Sequence, residues 1–527
     1  MTTVNRIFKV NGQPFYPIGR HRIYMAGYHV RDDSEMEAQF KASKLCNGNT
    51  VCMAIFWDQL EPEEGKFDFS SLDAMITMAR KYDLKVIPLW FATWKNGVMD
   101  YAPKYIKSNP DLYKRVIAPT GNSIWVLSSH CKATLEADKR AFAALCKHLK
   151  AFDGKEQTVI SLQIENEPGI SGSDRDYGPA AQAEYDANVP AKLISSMKKA
   201  GKGSVYKVWQ DAGGKESGTW PQIFGWEAGG LMTAWSMTVF INEVAKAGKA
   251  VYDIPMFVNY ALGKFSMPGA DASGDKRLEI YKWFGPDIDL IAPDILTNDM
   301  KDHEAWSVAF NRDDNPLFEV EARPDGMFMD IANYNAIGYF THYDQNEDGT
   351  VPPDQQRLVS LTRNVAAVIP LLLKYQGTGK IYAVEEPVSE GGGRGRGSQI
   401  DMDGYWGMIQ FGNSYSYLGY QQPGTIEHQK GRGAGLIFQV SKHEFYLVGY
   451  NLRLMLRPKP TLENMQFTLH GGDRDHPSYI NFVLSVEEGK FNKKGEFIAI
   501  RQINGDDLRG GIWVGPDDTV MRIVTCD

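Results

Sequence analysis

Short apolar, β-branched runs alternate with longer amphipathic segments along most of this chain, and that alternation constrains its fold more than any other feature. The runs fall near 15–19 and at 49–56, 85–91, 158–164, 254–259, 289–293, 316–320 and 336–341. Between them the spacing predicts helices over 71–82, where Leu72, Met75, Ile76 and Ala79 share one face, over 135–149 behind Thr134 as N-cap, and over 231–248. Strands separated by helices cannot pair as hairpins; they cross over and build a parallel sheet. Eight such units, with no early G-x-G-x-x-G helix start, point to a closed (β/α)₈ barrel rather than an open doubly wound sheet. A short hairpin precedes it within 6–18, because Asn11-Gly12 tolerates the positive φ of a two-residue turn.

After Gln376 the pattern changes. Helical periodicity fades, and short strand-like runs at 436–440, 444–450, 496–500 and 521–524 alternate with glycine-rich turns. We therefore expect a barrel with its hairpin over 1–376 and a separate C-terminal β-sandwich over 377–527. A chain of 527 residues is long enough for both cores. The Gly- and Arg-rich stretch 391–397 lacks the Lys-Ser/Thr and following helix of a phosphate loop and reads as a surface loop.

A net charge of −8 speaks against nucleic acid or an anionic membrane as partner, since both are held by clustered Lys and Arg. The most apolar run, 365–373, is too short to span a bilayer, contains Pro370 and reads as a buried helix. Five cysteines without metal-site spacing read as reduced, buried thiols. With no secretory-type N-terminus this favours a cytoplasmic protein, although a chain stripped of its leader would look the same. Association into a homo-oligomer is compatible with all of this.

The chemistry sits at strand ends. Thr158-Val-Ile-Ser-Leu-Gln-Ile-Glu-Asn-Glu-Pro168 and Asn315-Pro-Leu-Phe-Glu-Val-Glu-Ala-Arg-Pro324 both run from apolar residues into carboxylates. Ionised carboxylates are costly in a strand interior unless something uses them. Barrel strands present their C-terminal residues at one mouth, where active sites lie. Strict alternation would give Gln163, Glu165 and Glu167 one parity and Glu319 and Glu321 another such set, with ~6.6 Å of depth between alternate residues. That selects Glu167 and Glu321 as the pair nearest the mouth and leaves Glu165 and Glu319 a supporting role below. Two carboxylates ~5–5.5 Å apart suit retaining glycoside hydrolysis.

Other strand ends supply ligands for such a substrate. Trp57 follows the second strand, Trp90 and Trp94 close the third, Tyr260 follows the fifth, Asp294 the sixth, and His342 and Tyr343 the eighth. Aromatic rings stack on the apolar faces of sugars while polar groups fix hydroxyls. The ten histidines show no metal-ligand spacing, and no G-x-S-x-G elbow is present, so neither a metal nor any other cofactor is expected.

Several segments resemble known enzymes. Trp57-Asp-Gln-Leu-Glu-Pro-Glu-Glu-Gly-Lys-Phe-Asp-Phe69 resembles the W-x-x-x-E-P-x-x-G-x-F-D-F signature of β-galactosidase-like glycoside hydrolases. Gln163-Ile-Glu-Asn-Glu-Pro-Gly169 is similar to the Q-V-E-N-E-x-G motif of glycoside hydrolase family 35, and Pro316-Leu-Phe-Glu-Val-Glu321 to the nucleophile strand of families 35 and 42. Trp90-Phe-Ala-Thr-Trp-Lys-Asn-Gly97, Tyr101-Ala-Pro103 and 247–259 resemble a family 35 subgroup with a C-terminal β-domain of its own.

The resemblance implies a retaining, exo-acting β-glycosidase of β-galactosidase type acting on an oligosaccharide or simple β-glycoside. Glu167 would be its acid/base, Glu321 its nucleophile, and Asn166 would hold the sugar 2-hydroxyl. The alternatives are a β-glucosidase or transglycosylase on the same barrel, or an inactive carbohydrate-binding barrel. Where the subgroup carries Gly-Gly-Glu-Leu-His-Asn-Ser after the first strand, this chain has Gly19-Arg-His-Arg-Ile-Tyr-Met-Ala-Gly27. Gly229-Gly230 likewise replaces an acidic pair. Arg20 and Arg22 are therefore where we expect substrate choice to depart from the family, toward an acidic or longer glycoside.

Overall fold

The computed structural model describes residues 7–22, 33–265, 274–323, 325–342, 351–387, 397–412, 431–459, 483–508, 511–514 and 518–526. Eight parallel strands form one sheet: Ile18–Arg22, Thr50–Phe56, Lys85–Lys95, Leu162–Asn166, Met256–Ala261, Leu290–Asp294, Glu319–Ala322 and Tyr339–Thr341. We number them barrel strands one to eight. Hydrogen-bonded neighbours follow chain order from strand one to strand six, and strand eight pairs with both strand one and strand seven. The segment leading into strand seven is tied to strand six by a side chain: the Asn315 amide accepts from Ile291 N–H at 2.8 Å and donates to Ile291 C=O at 3.0 Å. The ring is a (β/α)₈ barrel.

Its interior is apolar. Cys52, Ala54, Phe56, Ile87, Leu89, Phe91, Phe257, Leu290, Ala292, Phe318 and Phe340 point inward at alternate positions. The hairpin of Phe8–Val10 and Gln13–Phe15 closes the lower end, with Phe8 packed on Phe318 at 5.1 Å between ring centroids. Its turn uses Asn11 and Gly12 at φ 51° and 74°.

Around the ring lies a layer of helices. Ser70–Lys81 buries Leu72, Met75, Ile76 and Ala79 as its spacing predicts. Lys132–Asp153 starts earlier than expected, with Cys131 at the N-cap position and Thr134 buried inside the helix. Ala228–Lys249 packs a broad buried face beside it. The apolar run at 365–373 is two helices, Gln356–Ala367 and Ile369–Tyr375, that bend by 60°. Pro370 sits in the first turn of the second helix, where its missing N–H costs nothing. Among the described residues no single helix is long and apolar enough to cross a membrane.

The C-terminal part is antiparallel. Six strands pair in the order Ile381–Glu385, Ala434–Ser441, Glu444–Tyr450, Val520–Thr525, Val483–Phe491 and Phe497–Ile503. Four more, Gly397–Met402, Tyr405–Phe411, Leu452–Pro458 and Ile512–Trp513, form a second sheet. Strand alternation divides the larger sheet into two faces. Ile437, Phe445 and Leu447 pack with Leu452 and Leu454 of the smaller sheet, whereas Leu436, Phe438, Tyr446 and Val448 pack on the helices at 356–375. The β-sandwich is thus docked on the barrel by an apolar face, and the Asn364 amide pins the Gly449 backbone across it in both directions. The 391–397 loop lies largely outside the described residues.

Candidate active site

Strand four does not alternate as its sequence suggests. Glu165 and Glu167 take φ values of 58° and 47°, in the left-handed region that non-glycine residues rarely occupy. The backbone twist turns Glu165 outward, into the layer between barrel and helices. There its carboxylate accepts Trp94 N–H at 2.7 Å and Thr93 N–H at 3.3 Å. It faces Asp138 of the helix Lys132–Asp153, whose oxygens take Trp90 Nε1–H at 3.1 Å and the Thr93 hydroxyl at 2.6 Å. Burial first, and then Asp138 itself, push the Glu165 pKa well up, and burial also raises Asp138.

The same twist brings Asn166 and Glu167 to the mouth. Asn166 Oδ1 accepts from Gln163 Nε2 at 3.1 Å and from Asn259 Nδ2 at 3.4 Å, and its own Nδ2 donates to Asn96 Oδ1 at 3.4 Å. The Asn259 oxygen in turn accepts Glu167 N–H at 3.0 Å, and its amide nitrogen donates to Asp294 Oδ2 at 2.6 Å. Asn259 therefore ties strands four, five and six together under the carboxyl groups.

Glu167, Asp294 and Glu321 converge, each offering a carboxylate oxygen within 4.8 Å of the others. Their environments separate them. Burial raises the pKa of Glu167, and the Glu321 charge adds to it against the pull of Lys95. Asp294 is raised well above the usual carboxylate range by burial and by the charges of Glu321 and Glu167. Glu167 Oε2 and Asp294 Oδ1 receive no donor from the described residues. Burial also works to raise Glu321, but the hydrogen bond from His342 Nε2 at 2.9 Å, with Lys95 behind it, wins and holds it down at about 2. One group is thus set to carry a proton and another to stay ionised.

Strand one contributes His21. Its Nδ1 lies 3.0 Å from His342 Nε2 and 4.0 Å from Glu321 Oε2, and the two rings meet edge to face. Burial and the neighbouring His342 lower its pKa to about 3, so the ring is neutral. Lys95 ends the long third strand, with its ammonium on Asn96 and over the Phe91 ring; burial lowers its pKa while Glu167, Glu321 and Asp294 pull the other way.

Glu167, Glu321, Asn166, Asp294 and His342 are thus brought together. The expected aromatics are not. Trp57 and Trp94 are fully buried in the wall, their indole N–H groups bonded to Glu61 and to Leu127 C=O, and Trp90 lies beside them. Tyr260 packs on Tyr281 and under the Arg277 guanidinium. These four sit at outward strand positions or, for Trp57, on the helical turn beyond, so they are core residues and not sugar platforms. Arg20 is also outward. It is fully buried against the helix Asp33–Leu45, where it donates to Gln39 Oε1 at 3.0 Å, and the next residue, His21, takes the mouth position instead. Tyr343 lies outside the described residues, as does the Arg22 side chain. Glu319 is buried one step down strand seven, raised by burial and by Asp330 of the outer helix Met327–Asn333.

Sequence reasoning missed His21, Lys95 and Asn259. His21 was in view only as part of a departing segment, and Lys95 only as the residue after Trp94. Their common signal is an inward position near the end of a strand, which can be read only once each strand's true end is known.

Residues 29–212 match the family described as "Beta-galactosidase" (glycoside hydrolase 42), and residues 363–515 match a domain of unknown function, DUF5597. Beta-galactosidase-1-like protein 3 of Homo sapiens is 29% identical over 178 residues, which is 32% of this chain and 25% of that protein. The chain thus matches about a quarter of the length of this curated relative. Among solved structures, the β-galactosidase of Halorubrum lacusprofundi is 16% identical, with a TM-score of 0.46 over 67% of this chain and 58% of that one. The cold-adapted β-galactosidase of Rahnella sp. R3 is 14% identical, with a TM-score of 0.48 over 71% and 58%.

Proposed function

We propose that this chain is a retaining, exo-acting β-glycosidase, β-galactosidase-like in framework, that removes a terminal β-linked sugar by double displacement. One observation carries the reading: Glu167 and Glu321 meet at the mouth within 4.8 Å, one with its proton affinity raised and the other with it lowered. Retaining enzymes hold their carboxyl groups at ~5–5.5 Å, while inverting ones leave ~6.5–9.5 Å for a water molecule.

In this reading Glu321, ionised and steadied by His342, attacks the anomeric carbon. Glu167 gives its proton to the leaving oxygen and then takes one from the incoming water. Asn166, its carbonyl held from two sides, offers its amide hydrogens to the sugar 2-hydroxyl. The chain's similarity to β-galactosidase-like proteins makes β-galactosides the first substrates to try.

The test is a panel of aryl β-glycosides (galactoside, glucoside, fucoside, xyloside, glucuronide) with and without acceptor sugars, with NMR of the first-formed product. Turnover with the β-anomer appearing first is expected. The α-anomer first would exclude retention, and no turnover across the panel would overturn the reading.

A further inference from the structure

We propose that His21, His342 and Glu321 form a site for a borderline divalent transition-metal ion of the zinc class, and that its occupancy shuts off the glycosidase by capping Glu321. The second half rests on the assignment of Glu321 as nucleophile; the first does not.

His342 Nε2 lies 3.0 Å from His21 Nδ1 and 2.9 Å from Glu321 Oε1. If His342 Nε2 carries a hydrogen and gives it to Glu321, the His21 contact keeps only a sideways share. If His21 Nδ1–H donates instead to the His342 lone pair, that nitrogen has nothing to offer the carboxylate. Hydrogens on both ring nitrogens would collide. In every protonation pattern one of the two short contacts lacks a proper proton.

A metal ion removes the conflict, because it needs three converging lone pairs and no hydrogen between them. Two imidazole nitrogens and one carboxylate oxygen, bound at about 2.0–2.2 Å, are a set that zinc accepts in tetrahedral geometry with the fourth position open. Ligand atoms around such a centre lie about 3.3–3.6 Å from one another, a spacing that follows from those bond lengths, so closing the set asks for side-chain shifts of a few tenths of an ångström. Here His342 Nε2 lies 2.9 Å from Glu321 Oε1 and 3.0 Å from His21 Nδ1, while His21 Nδ1 lies 4.0 Å from the second oxygen, Oε2; one oxygen and the two nitrogens all fall within 4.8 Å of one another.

Softness and access agree. Imidazole donors select zinc-class ions over magnesium or calcium, which take oxygen. His21 is fully buried and preset by the strand, whereas the His342 side chain is 36% exposed and leaves an entrance from the mouth. A metal-bound Glu321 has its negative charge drawn onto the cation and is a much weaker nucleophile toward an anomeric carbon.

Zinc binding to the full chain is read by calorimetry and by competition with a chromophoric chelator, and glycosidase activity is followed in parallel. One equivalent per chain is expected. Affinity should fall by more than about 100-fold in His21→Asn and in His342→Asn, beyond what loss of an outer-shell partner gives. The rim variant His342→Asn keeps the test readable if His21→Asn fails to fold, and His148→Asn, on the outer helix Lys132–Asp153, is the control that should bind normally. No zinc binding, or full affinity retained in folded His342→Asn, overturns the site. Hydrolysis that falls with the same midpoint as binding and returns with EDTA supports the switch; binding at the site without loss of hydrolysis overturns the switch. A chain that binds zinc at this site but cleaves no glycoside leaves the metal site standing and removes the proposed function.

Discussion

Two acid pairs share one strand and meet opposite fates. Glu165 and Asp138 lie in the wall of the barrel, and Glu167 and Glu321 at its mouth, with only Asn166 between the two glutamates in sequence. Both pairs are buried and both hold raised carboxyl groups. The wall pair is satisfied: four donors (two backbone N–H, an indole and a hydroxyl) reach its oxygens. At the mouth, Glu167 Oε2 and Asp294 Oδ1 have no donor among the described residues, and His342 pulls Glu321 the other way. A raised pKa therefore does not mark a catalytic acid by itself. What marks it is a raised acid beside a lowered one, with room for a substrate between them.

The contrast can be broken by mutation. Glu321→Ala should give the largest effect, a loss on the order of 10⁴-fold or more in kcat, with azide restoring turnover and yielding the glycosyl azide of inverted configuration. Near-normal kcat would end the nucleophile assignment. Glu167→Ala should cost about 10²–10⁴-fold on poor leaving groups and much less on activated aryl glycosides. It should also remove the alkaline limb of kcat/KM, since that limb reports loss of the Glu167 proton. Equal slowing for both leaving-group classes would count against it.

Glu165→Ala should act on stability instead. It strands two backbone N–H groups and leaves Asp138 alone, at a cost of about 2–5 kcal/mol in urea unfolding. If the alkaline limb vanished in this variant, the working acid would be in the wall and our comparison would be inverted.

Asp294→Asn should give the smallest and most conditional effect. The folded-state pKa of Asp294 lies above its unfolded value of about 3.9, so its contribution is present at low pH and lost as pH rises through the folded value. The variant cannot ionise. Its Tm relative to the parent should climb as pH rises from acid to alkaline; a difference independent of pH would show that Asp294 is not raised.

Much of this was legible in advance. The inward Cys52, Ala54 and Phe56, the buried stripe of Ser70–Lys81 and the two faces of Glu444–Tyr450 all follow from periods of 2 and 3.6 that local sequence carries. Strand ends were less legible. The third strand runs on to Lys95, four residues past its expected close, and delivers an ammonium group that periodicity could not place. The aromatics failed for a related reason. Trp94 and Tyr260 stand at strand ends as expected, but one residue of parity sends each into the wall, where large apolar side chains are worth burying.

The sequence by itself determined the barrel, the β-domain and the carboxylates that end strands four and seven. These are local matters: which residues alternate, which turn, and which polar groups interrupt an apolar run. Only the tertiary structure decided which way each side chain faces. The positive φ of Glu165 and Glu167 is sustained by contacts from Thr93, Trp94, Asp138 and Asn259, none of them near in sequence. The meeting of His21 with His342 is longer in range still, since strands one and eight become neighbours only when the ring closes.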